Sequence, residues 1–342
     1  MAKKDRPRWN NRLVVHAVDD ATNIVYEREV RAFLVDCKRG EVAFRTLEQR
    51  DRALGNYISD LCYLKGDNYM KASLTFNGFM HIFEDHRGKL PTAHRALKSW
   101  ERMQFGGEGH PIPFQAMGVI IMRMLEMGHL LEGCACIVQL DGWLREQDWE
   151  MLRARHVSFT PSGGVGLKLG DRMIGQKTKT GANQGAVLEW PLSRLILKAL
   201  VGECEPDDQV FPFTQPSFRR IWLRTLKDVG LEKMGPPHGM RHAAAARFVA
   251  LNGDLEAARR RGRWASTAGL QRYTKCHVLV EKLGELDAAQ LKAGCAFWRR
   301  PCQATHDAIV RGPGAGTPLG KCLIEALAAA REREVPVPMY GS

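Results

Sequence analysis

Nowhere in the 342 residues is there an uninterrupted apolar run near the roughly 20 residues that a membrane-crossing helix needs, which excludes an integral helical membrane protein. The opening stretch, Met1 to Trp9, is basic and lacks the apolar segment of a secretory signal. There is no CxxC pair, and Cys134 with Cys136 cannot complete a structural zinc site on their own. The nine cysteines, odd in number, are scattered from Cys37 to Cys322. That pattern points to a reducing, intracellular setting without a disulfide framework, and no metal or cofactor is expected. Internal repeats and low-complexity blocks are missing too.

What the chain does have is positive charge: 50 Lys+Arg against 38 Asp+Glu, a surplus of twelve. Nucleic acid is the commonest physical reason for such a surplus, because each neutralised phosphate releases counterions. An acidic protein or a membrane surface would also fit the charge alone. With 44% hydrophobic and 26% charged residues the composition is globular, and the length suits about two domains.

Helical spacing dominates. Residues 1–40 read as an N-terminal extension with a short helix or strand among the apolar positions of Val25 to Val35. From 41 to 105 the pattern is a small helical domain. Thr46 and Gln49 have capping-box spacing, Leu47, Leu54, Ile58 and Leu61 form a stripe, and Met70, Leu74 and Phe79 are expected core. A further helix near Thr92 to Met103 buries Leu97 and Trp100 and turns Arg95, Lys98 and Arg102 outward. Gly106 to Pro113, rich in glycine and proline, is the linker.

The segment 114–303 reads as a second domain, and 304–342 as a tail with one helix at Leu319 to Arg333. Helices are expected at Phe114 to Leu130, Leu144 to Val157, Leu192 to Val201, Ser217 to Val229, Met240 to Leu251 and Leu255 to Arg261. Between them, Val157–Phe159, Val165–Leu169, Met173–Ile174 and Ala186–Leu188 are short strand-like runs split by glycines. The fold class expected is therefore mainly α with a small antiparallel β-sheet, an α+β chain.

The most informative segment is Pro237-His238-Gly239-Met240-Arg241-His242 followed by four alanines. Prolines before Ala-rich sequence mark a helix start, and His238 and Arg241, three apart, share one face of its first turn. A histidine and an arginine at a helix N-terminus suit an anion such as a phosphate. Trp264 follows Arg241 by 23 residues, and Tyr273 follows Trp264 by nine, after a short helix that Ser266 can cap. Taken singly, the two aromatics would be ordinary core residues.

This order of residues resembles the tyrosine recombinase (phage integrase) family. The resemblance extends to an arginine upstream, Arg145, with Asp148 as the acid three residues on and Trp149 where the family has leucine. It extends also to a lysine in a turn, Lys179 of Lys177-Thr178-Lys179-Thr180-Gly181, with Lys177 as the alternative. The Arg-Gly-Arg-Trp and Arg-Tyr-Thr-Lys strings are more similar to the recombinases of eukaryotic mobile elements. Glu146 and Gln147 depart from the small or apolar residues usual beside the first arginine.

The resemblance covers about Pro111 to Lys275 and implies a helical core-binding domain followed by a catalytic domain. It implies cleavage and rejoining of DNA through a 3′-phosphotyrosyl intermediate, without metal or ATP. Tyr273 would be the nucleophile, Arg145 and Arg241 the phosphate clamp, Lys179 the acid for the leaving oxygen and His238 the proton carrier. Trp264 would donate to the phosphate or pack beneath Tyr273, while Asp148 and His242 would support. Double-stranded DNA is the implied partner, bound by a homotetramer on two sites, with the tail helix docking on a neighbour. The compartment would be the nucleus in a eukaryote and the cytoplasm in a bacterium.

Further DNA contacts are expected from Arg219 and Arg220 on one helix, from Arg259, Arg260, Arg261 and Arg263 before Trp264, and from Arg95 and Lys98 in the first domain. Rival readings are a catalytically dead DNA-binding remnant of a mobile element, and a monomeric relaxase of the type IB topoisomerase kind.

Overall fold

The computed structural model describes residues 18–103, 109–161, 163–176, 178, 181, 183–202, 204–331 and 336–338. Lys177, Lys179 and Thr180 lie outside the described residues, as do linker residues 106–108. The chain is mainly helical with one three-stranded antiparallel sheet, an α+β fold. It forms two compact units that divide at residue 107.

Among the described residues the first unit holds four α-helices: α1 (Asp20–Arg39), α2 (Leu47–Tyr63), α3 (Tyr69–Ile82) and α4 (Pro91–Met103). Helix α1 occupies what the sequence presented as an extension. Its Val30, Phe33 and Cys37, spaced three and four apart, are buried in the unit's core, which makes it an integral element. Phe33 sits at the centre, its ring 5.1 Å from Tyr57 and 5.7 Å from Phe79. Thr46 and Gln49 make the expected capping box on α2. Asp51, buried, caps a different helix: its carboxylate accepts from the Thr92 and Ala93 amides at the start of α4, at 2.9 and 2.8 Å. Leu47 and Met70, expected in the core, are exposed because each lies in the first turn of its helix, ahead of the buried stripe that begins at Asp51 in α2 and at Ala72 in α3.

In the second unit α5 (Phe114–Glu126) and α6 (Leu130–Gly142) are buried on nearly every side. The helix expected over Phe114–Leu130 stops at Glu126, because Gly128 takes a left-handed φ of 84° and turns the chain, and α6 follows where the sequence reading placed no helix. Helix α7 (Glu146–Glu150) is far shorter than the expected Leu144–Val157 helix; a single 3₁₀ turn, Ala154–His156, leads from it into strand β1 (Val157–Phe159). Strands β2 (Val165–Leu169) and β3 (Gln184–Leu188) complete the sheet, in the order β1-β2-β3 with Val157 opposite Leu167 and Val165 opposite Leu188. Val165, Leu167, Leu169, Ala186 and Leu188 face the core. Met173 and Ile174, expected as strand, form a 3₁₀ turn instead, because the Asp171 carboxylate accepts from the Met173 amide at 3.0 Å and bends the chain.

Nine helices follow among the described residues. They are α8 (Pro191–Val201), α9 (Gln215–Asp228), α10 (Gly239–Asn252), α11 (Leu255–Arg261), α12 (Thr267–Gln271), α13 (Cys276–Leu283), α14 (Ala288–Arg299), α15 (Pro301–Arg311) and α16 (Pro318–Ala328). Helix α14 crosses α5 backbone to backbone: a Cβ on Gly118 would stand 3.1 Å from the Gly294 carbonyl oxygen, and a Cβ on Gly294 would strike the Gln115 backbone. The segment expected as a tail is not detached. Ala308 and Ile309 of α15 and Leu323 and Leu327 of α16 are fully buried in the unit's own core, so α16 has its apolar face already covered.

Candidate active site

The prolines at 236 and 237 end the preceding loop, and His238 stands at the N-cap of α10 with Arg241 in the first turn, as the spacing predicted. Ile112 packs against this turn: its amide donates to the Gly239 carbonyl at 3.4 Å, and a Cβ on Gly239 would meet the Ile112 side chain at 2.7 Å. A glycine is needed there for close approach. Arg145 is the N-cap of α7, and its own amide donates to the Asp148 carboxylate at 3.0 Å. Ser266 caps α12 through the Gly269 amide, and the chain then delivers Tyr273.

These elements bring Arg145, Asp148, His238, Arg241, His242, Trp264 and Tyr273 to one place. The Tyr273 hydroxyl lies 3.5 Å from His238 Nε2. The His242 ring stacks on the Tyr273 ring at 4.2 Å, and the Trp264 indole packs against the same ring at 4.8 Å. Behind them Arg241 is fully buried, its guanidinium carbon 4.5 Å from the Trp264 ring centre. It donates to the backbone carbonyls of Trp143 and Gly262.

The electrostatics are unusual for a protein interior. Three guanidinium groups, those of Arg145, Arg241 and Arg263, influence one another around the single carboxylate of Asp148. Each has a buried nitrogen with no hydrogen-bond partner among the described residues: Nη1 of Arg145, Nε of Arg241 and Nε of Arg263. Burial, together with the charges of Arg145 and Arg263, pulls Arg241 down to about 9, so it stays protonated at neutral pH. Burial also drives His242 down to about 3, helped by the charges of His238 and Lys275, and His242 is therefore neutral. Unspent donors and surplus positive charge in a sheltered cluster suit an anion.

Other expected residues fall elsewhere. Arg219 is engaged with the buried Glu146 carboxylate at 3.0 Å, while Arg220 on the same helix is exposed. Arg259 and Arg260 are tied to Glu256 at 2.7 and 3.0 Å. Arg261 and Arg263, expected to contact DNA, turn inward instead. Arg261 lies over the Trp143 ring and pairs with Asp141 and Glu189. Arg263, only 7% exposed, pairs with Asp148 at 3.1 Å. The reason is local: α11 ends at Arg261, and Arg263 takes a left-handed φ of 58° that sends its side chain back toward α7. Arg95 and Lys98 are exposed on α4, with Lys98 bonded to Glu101 at 2.6 Å. Thr178 and Gly181, on either side of the expected Lys179, exchange backbone bonds of 2.9 and 3.1 Å, while Lys179 itself lies outside the described residues.

Sequence reasoning missed Trp143. Its carbonyl oxygen accepts from both Arg241 and Arg263, and its backbone is left-handed, φ 49°. Neither property has a signature in residue type, since both belong to the backbone.

No protein-family model and no curated protein matches the chain. Among solved structures, the XerA recombinase is similar at 15% identity and a TM-score of 0.39, with 82% of this chain and 92% of that one covered.

Proposed function

We propose that the chain breaks and rejoins DNA as a site-specific recombinase or integrase of the tyrosine type. The observation that carries this reading is a cluster of three arginines with unpartnered buried donors, one of which, Arg241, lies 6.0 Å from the ring of a tyrosine whose hydroxyl is 3.5 Å from a histidine nitrogen.

In this reading the Tyr273 oxygen attacks the scissile phosphorus, forming the 3′-phosphotyrosyl bond while the bond from phosphorus to the 5′ oxygen breaks. The phenol proton passes to His238. Lys179, or Lys177 in its place, gives a proton to the departing 5′ oxygen. Arg145 and Arg241 hold the non-bridging oxygens, where charge grows in the pentavalent state. To do so, Arg241 exchanges a backbone carbonyl for the phosphate. The reverse attack, by a 5′ hydroxyl from another strand, regenerates Tyr273 and restores the phosphodiester without ATP. Recombination between two sites needs four such subunits on DNA. Because α16 is covered within its own unit, a neighbour would be engaged through some other surface.

The test uses nicked DNA substrates that trap the intermediate, comparing wild type with Tyr273→Phe. A covalent adduct lost in the variant supports the reading, and DNA binding without an adduct on any substrate favours an inactive remnant. Relaxation of supercoiled plasmid by a monomer would point to a type IB-like relaxase instead. Failure to bind DNA at all would overturn every version.

A further inference from the structure

Arg263 links the two arginines of the proposed clamp, and the inference drawn from it rests on the phosphodiester reading above. Its Nη2 donates to the Asp148 carboxylate at 3.1 Å and to the Trp143 carbonyl at 3.2 Å, and its Nη1 donates to the Gly142 carbonyl at 3.3 Å. The same Asp148 oxygen accepts from the Arg145 amide, and the same Trp143 carbonyl accepts from Arg241. One guanidinium therefore shares an acceptor with each of the other two arginines.

Charge explains why this matters. The Asp148 side chain is 1% exposed, and a carboxylate so placed must be paired with a cation. Among the described residues, the guanidinium within ion-pair distance of it is that of Arg263. Remove that partner and the positive groups around it are those of Arg145 and Arg241, each of which keeps one buried nitrogen without a partner among the described residues, Nη1 of Arg145 and Nε of Arg241. An internal carboxylate would then compete with the substrate for its own clamp. The backbone adds to the argument: a left-handed φ of 58° costs an arginine energy that a glycine would not spend, so the side chain is held in spite of local strain.

We propose that Arg263 is a positioning residue that neutralises Asp148 and thereby keeps Arg145 and Arg241 available to the substrate phosphate.

The test compares wild type, Arg263→Gly, Arg263→Asn and the double variant Arg263→Gly with Asp148→Asn. Inorganic vanadate binding is read by tryptophan fluorescence, and cleavage and DNA affinity are measured on nicked DNA. Glycine and asparagine both accept the left-handed backbone, and thermal melts establish that each variant is folded. The expected result is vanadate affinity about tenfold or more weaker in both single variants, in line with a lost charge-assisted bond. The loss falls on the cleavage rate while DNA affinity stays within about threefold, since backbone contacts elsewhere set it. Adding Asp148→Asn restores most of both vanadate binding and cleavage. Single variants that bind vanadate as wild type does, or a double variant no better than Arg263→Gly, overturn the proposal. If wild type forms the covalent adduct while these variants are unaffected, only the role of Arg263 falls. If wild type neither takes vanadate nor forms an adduct, the recombinase reading falls with it.

Discussion

The His242 imidazole lies over the Tyr273 ring with centroids 4.2 Å apart and 23° between planes, and it is uncharged there. Its pKa moves from an ordinary 6.5 to about 3 on folding, so between those values the unfolded chain holds the extra proton. Stability from this group is complete above about pH 6.5 and is lost as pH falls, at up to about 1.4 kcal/mol per pH unit. His242→Phe keeps an aromatic partner for Tyr273 and cannot titrate. Urea melts from pH 7 to pH 5 should show wild type losing stability faster than this variant. Parallel curves would refute the assignment.

Tyr273→Phe keeps the ring contacts to His242 and Trp264 and deletes one half-exposed hydroxyl. Its stability should lie within about 1 kcal/mol of wild type. A larger loss by chemical denaturation would show that the hydroxyl is chiefly structural.

Gly262→Ala should be disproportionately harmful for so small a change. A Cβ at this position would fall inside the Trp264 indole, and the Gly262 carbonyl accepts from Arg241. Displacing the indole should cost about 1–3 kcal/mol and shift the tryptophan emission. An unchanged midpoint in urea would contradict the packing described.

Arg219 and Arg220 are neighbours on α9 with different duties. Arg219→Ala strands the Glu146 carboxylate, itself 7% exposed, and should cost about 1 kcal/mol, tempered by the half-exposed arginine. Arg220→Ala should leave the melt unchanged. If DNA runs along this helix, it should also reduce the slope of log affinity against log salt by about 0.9, the value for one phosphate. The two substitutions exchanging effects would reverse these roles.

Asp51→Ala removes the cap from α4 by deleting an acceptor 41 residues away in sequence. The expected loss is about 1–2 kcal/mol, confined to the first unit. Hydrogen exchange would locate it, with the amides of α4 losing protection and those of α5 retaining theirs.

Local patterns were legible where local physics decides. The Thr46 capping box, helix α11 and the start of α10 follow from spacing and turn chemistry alone, and the sheet follows from short apolar runs between glycines. Of the residues gathered around Tyr273 and Arg241, the pair His238 and Arg241 follows from helix-start chemistry, whereas Arg145, Asp148, Trp264 and Tyr273 stand out only through the family resemblance. Long helices were overdrawn at Leu144–Val157 because apolar residues there pack into several elements, with no single helical face to specify. Arg261 and Arg263 were misjudged because a run of arginines carries no sign of direction. The left-handed turn at Arg263 and the buried carboxylates of Asp141 and Asp148 set it, and neither is visible before the chain folds. Asp51 was missed for a related reason, its acceptor role depending on a helix distant in sequence.

The glycine-to-glycine crossing of α5 and α14 carries a consequence for how the protein is made. Residues 114–126 emerge from the ribosome more than 160 residues before the helix, 288–299, that must lie against them. Until then, the side of α5 that faces α14 around Gly118 lacks its final partner, although α6 already packs against Met124 and Leu125. The first unit, whose contacts join helices close in sequence, can finish folding while this surface still waits. A cell producing the chain would thus hold a half-made molecule, with the first unit able to complete itself and the second unfinished until translation has passed residue 299.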